Sequence, residues 1–205
     1  MLNNTLVASI LTLLFTGSAS AETWYVNLDT STLLGQTGWL DFQFNPADNS
    51  APAATATLAG FLSNGALLPA PTSIGNVAGD LGSTLLLGNS QSLNDWLQGF
   101  TFGSQLSFSV NIDTPIPNTS GSGTAFSLSL YDASYNSLLV DPVWGAALVL
   151  NANDTGLVNV LAQTASVSLI ASPVPEPHNA LLLLVGLGLI GLKYRKLNTA
   201  TLRQA

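Results

Sequence analysis

Residues 106–112 read Leu-Ser-Phe-Ser-Val-Asn-Ile, and this stretch decides the fold class. Apolar side chains occupy every second position, as in a β-strand with one face in a core and the other in solvent. Similar alternation, or a short apolar run, recurs at residues 24–28, 40–44, 126–130, 147–151 and 166–170. Turn-rich segments such as residues 45–52 and 113–123 separate these runs. The pattern predicts an all-β fold, an antiparallel β-sandwich of jelly-roll-like type.

Residues 92–99 interrupt the alternation and predict one short helix. Ser92 can cap its N-terminus with Asp95 three positions later, and Gly99 is placed to end it. The apolar residues on the expected helical face are Leu93, Trp96 and Leu97.

Charge is sparse and segregated along the 205 residues, of which 47% are hydrophobic and 7% charged. The four basic residues all lie near the C-terminus: Lys193, Arg195, Lys196 and Arg203. Residues 22–154 carry ten acidic side chains and no basic one, which disfavours nucleic acid, anionic lipid and acidic polysaccharide as partners. Crowded like charges are expected to raise carboxyl pKa values, so stability should increase as the pH falls from 7 toward about 4.5.

The chemistry open to residues 22–177 is narrow, because this stretch contains no His, Cys, Lys or Arg. Ser-His-Asp and Cys-His catalysis, Schiff bases and zinc sites with nitrogen or sulfur ligands are thereby excluded. The absence of cysteine also excludes disulfides. The single histidine, His178, fits a spacer role better than a catalytic one. We therefore expect no enzymatic activity and no cofactor, calcium excepted.

Carboxylate chemistry is the alternative that these residues leave open. Residues 154–156 read Asp-Thr-Gly, the aspartic-protease triplet, and residues 29–31 are a loose second copy. The first triplet follows Asn-Ala-Asn rather than an apolar strand, so a turn is the favoured interpretation. A carboxylate pair for glycoside hydrolysis remains open, although the acids are scattered and solvated charges are favoured.

A calcium site is a second alternative. Asp132, Ser134 and Asn136 place oxygen ligands at alternate positions, as the start of a calcium loop does. The segment lacks the glycine and the distal Glu of an EF-hand and joins two strand-like runs. A hairpin turn is the favoured interpretation, and calcium is the alternative.

Aromatic side chains could provide a platform for sugars, because their rings offer an apolar face with a polar edge. The four tryptophans lie in apolar patterns, so core packing is predicted for each of them: Trp24, Trp39, Trp96 and Trp144. Aromatic residues beside two close carboxylates would instead favour a carbohydrate-active module, either binding or hydrolytic.

The N-terminus resembles an export signal. Residues 6–16 form a short apolar stretch, and Ala19-Ser20-Ala21 is a small-x-small cleavage site. The sequence predicts a signal peptide, in helical form, over residues 1–21, with an uncleaved anchor as the alternative. Residues 22–172 then form the acidic β-sandwich domain.

The C-terminal region has three parts in a fixed order. Val174-Pro175-Glu176-Pro177 is held extended by its prolines, and residues 180–192 form an uncharged run of about 20 Å as a helix. A basic cluster follows: Lys193, Arg195 and Lys196. With its polar flanks this run predicts a short transmembrane helix, stopped by the basic cluster, rather than a buried core helix.

These three parts resemble the PEP-CTERM sorting tail, here residues 173–199 with a short extension over residues 200–205. The resemblance implies a Gram-negative bacterium that makes extracellular polymers. It also implies cleavage near Pro-Glu-Pro by an exosortase-type membrane protease. The expected precursor is anchored in the inner membrane by its C-terminal helix with the domain in the periplasm, and the product goes to the cell surface or is secreted.

The domain is similar to those of PEP-CTERM proteins of unassigned function. We expect a non-catalytic surface or extracellular-matrix protein whose partners are the protease, the membrane and extracellular polysaccharide. A carbohydrate-binding or carboxylate-dependent carbohydrate-active module is the alternative, and nucleic acid is not an expected partner.

Overall fold

The structure is a computed structural model that describes residues 21–114, 121–154 and 156–172. The chain divides into two units, Met1–Pro173 and Val174–Ala205, and every described residue lies in the first. The predicted signal peptide, apart from its last residue, and the predicted transmembrane helix lie outside the described residues.

Strands dominate the described part of the chain, and its only helix is a 3-10 turn at Ser31–Leu33. The strands are β1 Ala21–Asp29, β2 Thr37–Pro46, β3 Thr55–Ser63, β4 Ala66–Leu67, β5 Thr72–Ile74, β6 Val77–Gly79, β7 Thr84–Gly88, β8 Asp95–Thr101, β9 Gln105–Asp113, β10 Thr124–Asp132, β11 Ser137–Leu138, β12 Leu148–Ala152, β13 Val158–Gln163 and β14 Val167–Ala171.

Two antiparallel sheets contain these strands. The six-stranded sheet has the order β14-β1-β9-β3-β7-β6. The eight-stranded sheet has the order β13-β12-β10-β2-β8-β4, with β5 also paired to β8 and β11 to β10. The prediction of an all-β antiparallel sandwich is confirmed.

The core lies between the sheets and is built from the alternating residues of the facing strands. Phe42 of β2 meets Phe108 of β9 edge to face, with ring centroids 5.5 Å apart. Phe61 of β3 meets Phe100 of β8 in the same way at 6.1 Å. Such aromatic contacts across the two sheets provide the burial that stabilises a domain without disulfides.

The predicted helix at residues 92–99 is wrong, because most of this segment belongs to β8. That strand pairs with β2 on one side and with β4 and β5 on the other, so its backbone groups are used within the sheet. Gln98 interrupts the apolar alternation at a buried position. Its Nε2 atom donates to the carbonyl oxygens of Leu68 at 2.7 Å and Gly99 at 3.0 Å. Tertiary strand pairing therefore overrides the local helical pattern.

Candidate functional site

Two carboxyl groups meet on the outer face of the eight-stranded sheet. On β2, Leu40 and Phe42 point into the core, so Asp41 between them lies on the opposite face. Asp41 pairs with Leu97 and Gln43 pairs with Asp95, which places the two aspartates diagonally across neighbouring strands. Their carboxyl groups lie within hydrogen-bonding reach of each other. Asp41 is nevertheless only 5% exposed.

The lack of hydrogen-bond donors around Asp41 and Asp95 favours a proton between their carboxyl groups. Asp41 Oδ2 accepts a bond from Gln43 Nε2 at 2.8 Å. The Oδ1 atoms of Asp41 and Asp95 are both buried and neither has a donor. One proton between the two carboxyl groups would satisfy an oxygen of each, since an ionised pair offers only acceptors. Burial, followed by the hydrogen bond and the charge of Asp95, raises the pKa of Asp41 from 3.8 to about 8.

Polar side chains continue from this pair along the same face. Asn45 Nδ2 donates to Gln43 Oε1 at 2.9 Å, which extends the row toward the end of β2. On the neighbouring strand β10, Ser129 lies opposite Asp41 and Tyr131 lies opposite Trp39, so both side chains are on this face beside the pair. Burial, assisted by the nearby aspartate charges, raises the pKa of the Tyr131 hydroxyl. This hydroxyl is therefore a neutral donor at physiological pH.

An aromatic patch of Trp39, Tyr131 and Tyr135 adjoins the acidic pair. The rings of Trp39 and Tyr135 stack with centroids 5.5 Å apart and planes 10° from parallel. Tyr131 leans against Tyr135 at 6.5 Å with a 50° tilt. Tyr135 is 58% exposed, so the ring face opposite Trp39 is open to solvent. An exposed aromatic ring of this kind can stack against a sugar ring.

Tyr135 reaches this position through a strained turn. Its φ is +65°, a left-handed conformation that is uncommon for a large side chain. The other two non-glycine residues with positive φ in the described chain are Ala70 and Leu139. They lie in the β4–β5 connection and in the β10–β12 connection that also contains Tyr135. Within the described residues, non-glycine positive φ is thus confined to these two connections.

The expected calcium ligands lie in the same turn. Asp132 Oδ1 accepts the backbone N–H groups of Ser134 at 2.8 Å and Asn136 at 2.9 Å, and its Oδ2 accepts Asn136 Nδ2 at 2.8 Å. The hydrogen bonds from Asn136 are the main cause that lowers the pKa of Asp132. The carboxylate therefore closes the turn that positions Tyr135, as the hairpin interpretation requires. Calcium binding at these residues stays a prediction.

The structure separates the two protease-like triplets. Asp29 ends β1 opposite Gln105, whereas Ala21 begins β1 opposite Asp113. The turn that contains Asp154 lies near Thr114, since Thr114 Oγ1 donates to the carbonyl oxygen of Gly156. The two aspartates are thus at opposite ends of a nine-residue strand, which spans about 25 Å. They cannot share a proton.

The tryptophans divide between core and surface. Trp96 is buried, and Trp24 packs against the core. The prediction of core packing is wrong for Trp39, which lies in the aromatic patch, and for Trp144, which is 50% exposed. At the termini, Ala21 begins β1, whereas Ala19, the sorting motif and the basic cluster lie outside the described residues.

A second polar surface lies on the six-stranded sheet. A depression of about 580 Å³ there is lined by serines, by Asn27, Asp29 and Gln105 and by four apolar residues, without an aromatic side chain. It lacks the paired carboxyl groups and stacked rings of the other face. The aromatic patch with the Asp41–Asp95 pair is accordingly the stronger candidate.

No protein-family model, curated protein or solved structure matches the chain. Among the described residues, no three His, Cys, Asp or Glu side chains are grouped closely enough to hold a metal ion. The described part of the chain also has no helix long and apolar enough to cross a membrane.

Proposed function

We propose that this protein is an exported, non-catalytic component of the cell surface or extracellular matrix, delivered through its PEP-CTERM-like tail. The observation that carries the proposal is the segregation of charge. All four Lys and Arg residues follow the apolar run of residues 180–192, whereas residues 22–177 contain none. The positive-inside rule then places the C-terminus in the cytoplasm and the sandwich on the other side of the membrane.

The sandwich suits such a location. Its core is aromatic and aliphatic, so that its stability does not depend on a disulfide or on the redox state of the compartment. We also propose that the sandwich is of jelly-roll-like type, which is supported by the repeated crossing of the chain between the two sheets. The proposed precursor is released by an exosortase-type protease that cleaves near Pro175 and Pro177.

Topology and processing can be tested separately. Protease added to spheroplasts should digest the sandwich and spare a C-terminal tag, whereas a protected sandwich would contradict the proposed orientation. Intact-mass spectrometry should find that the mature protein lacks residues 192–205 when the host has its exosortase and retains them when it does not. Replacing Pro175 and Glu176 with Ala should leave the precursor in the membrane.

Carbohydrate binding is a second candidate function, and one observation favours it. The aromatic patch lies directly beside two carboxyl groups, which is the juxtaposition expected of a carbohydrate-active module. Glycoside hydrolysis is less well supported than binding. The two catalytic carboxyl groups of a glycosidase stand about 5 Å apart in retaining enzymes and farther apart in inverting ones. Asp41 and Asp95 lie within hydrogen-bonding reach of each other, which is closer than either arrangement.

A further inference from the structure

We propose that Tyr135, backed by Trp39, together with the neighbouring polar side chains of Tyr131 and Gln43, binds an uncharged polysaccharide. This inference rests on the second candidate function and names both the site and the ligand class. The ligand would lie across the outer face of the eight-stranded sheet, with one sugar ring on the free face of Tyr135.

The position of Tyr135 is typical of a binding site. Three hydrogen bonds to the Asp132 carboxylate fix the turn, and the backbone at Tyr135 is held in a left-handed conformation. The result is a ring stacked on Trp39 with its other face exposed. A side chain placed on the surface at such a conformational cost is typical of a binding site that is organised before the ligand arrives.

The polar side chains beside Tyr135 suit a sugar. Tyr131 has a neutral hydroxyl, and Gln43 has an amide with both a donor and an acceptor. Sugar hydroxyls are themselves donors and acceptors, so a mixed row suits them better than a row of carboxylates alone.

Charge selects the ligand class. The ten acidic residues of the sandwich have no Lys, Arg or His within residues 22–177 to offset them. An anionic polysaccharide would be repelled and would find no cationic partner. An aromatic ring and neutral hydrogen-bonding groups remain attractive to an uncharged one. A metal cation between Asp41 and Asp95 is less well supported, since Gln43 turns its amide nitrogen toward the carboxylate.

The test uses the full chain purified in lauryldimethylamine oxide, because glycoside detergents would compete for the site. Isothermal titration would compare three neutral hexasaccharides (cellohexaose, laminarihexaose and mannohexaose) with the anionic hexamannuronate. At least one neutral hexasaccharide should bind, and hexamannuronate should bind at least about tenfold more weakly.

Variants of Tyr135 locate the site. Tyr135→Gly removes the ring and is compatible with the left-handed backbone, so it should fold and should weaken binding about three- to tenfold. Tyr135→Phe keeps the ring and should bind within about twofold of the wild type, given the cost of a single exposed hydroxyl. Tyr25→Ala removes a half-exposed ring from the other sheet and should leave binding unchanged. Tyr135→Asn, which also tolerates positive φ, replaces the glycine variant if that variant does not fold.

Each contrary result removes a defined part of the inference. Neutral binding that survives Tyr135→Gly, or is lost equally in Tyr25→Ala, would overturn the site but not carbohydrate binding. Stronger binding of hexamannuronate would overturn the ligand class. No binding of any neutral sugar would overturn both the inference and the second candidate function, while the topology experiments would still decide export. Binding that appears only with added CaCl₂ would overturn a site that binds sugar through its side chains alone.

Discussion

Replacing Asp41 with Asn is expected to remove most of the pH dependence of stability between pH 5 and 7. The folded structure raises the pKa of this carboxyl from 3.8 to about 8, chiefly because it is buried. The folded state therefore binds the proton more tightly than the unfolded state does. The stabilisation that results is complete below pH 3.8 and is lost as the pH rises toward 8.

The size of the effect follows from proton linkage. Between pH 5 and 7 the unfolded carboxyl is ionised and the folded one is mostly protonated. The free energy of unfolding should then fall by about 1.4 kcal/mol per pH unit, or about 2.7 kcal/mol over this range. Asn keeps the shape of the side chain and can still accept the hydrogen bond from Gln43, but it does not ionise.

Urea unfolding followed by tryptophan fluorescence at pH 5, 6 and 7 measures this slope. Asp113→Asn is the matched control, because it makes the same chemical change at an exposed strand end. The control should keep the wild-type slope and Asp41→Asn should lose it. Parallel pH profiles in all three proteins would show that Asp41 does not hold a proton between pH 5 and 7.

Three further results are expected. Phe42→Ala should lower the free energy of unfolding by about 3–5 kcal/mol, since the ring is fully buried against Phe108, and a loss below about 1 kcal/mol in urea would contradict the described core. Asn94→Ala should cost about 2–4 kcal/mol in the same assay, because this buried side chain makes three hydrogen bonds to backbone groups; an effect within error would show that water replaces them. If calcium binds at Asp132, millimolar CaCl₂ should raise the melting temperature beyond an ionic-strength-matched NaCl control and Asp132→Ala should abolish the excess, whereas equal shifts would remove the site.

The strands with a clean apolar and polar alternation could be predicted from the sequence. Residues 106–112 lie within β9, where Leu106, Phe108, Val110 and Ile112 are buried as their spacing requires. β3 was missed because small Thr and Ala residues dilute its apolar pattern. The helix prediction failed because Gln98, a polar residue, occupies an inward position of β8 and hides the alternation of a strand. Its hydrogen bonds to the carbonyl oxygens of Leu68 and Gly99 explain how this side chain is accommodated in the core.

Unlike the strands, the candidate site could not be predicted from local patterns. Asp41 looked like an ordinary solvent-facing residue of an alternating strand, and Asp95 looked like part of a helix cap. Their meeting depends on the register between β2 and β8, which no short stretch of sequence specifies. The ring of Tyr135 likewise reaches Trp39 only through the conformation of one turn.

General repulsion among like charges is not what shifts the carboxyl groups of this sandwich. Burial is the main cause of the raised pKa at Asp41 and also at Glu22. Three exposed carboxyl groups have pKa values lowered instead, chiefly by a side-chain hydrogen bond from a neighbouring residue: Asp29 by Ser31, Asp48 by Ser50 and Asp132 by Asn136. These three groups therefore stabilise the fold at neutral pH, and their contribution to the free energy of unfolding is lost only as the pH falls below about 4.

The absence of basic residues determines how the buried Asp41 can be neutralised. A buried carboxylate is usually stabilised by Lys, Arg or His, and residues 22–177 contain none. The neighbours described beside Asp41 include Gln43, Tyr131 and Asp95 and none of them is a cation, so a proton is the simplest charge that can neutralise Asp41. The same proton leaves the face beneath Tyr135 less negative than its composition suggests. The proton on Asp41 therefore accounts for stability at mildly acidic pH, whereas the preference for uncharged ligands comes from the other carboxylates of the sandwich. Asp41→Asn should accordingly remove the pH dependence of stability and preserve the ligand preference.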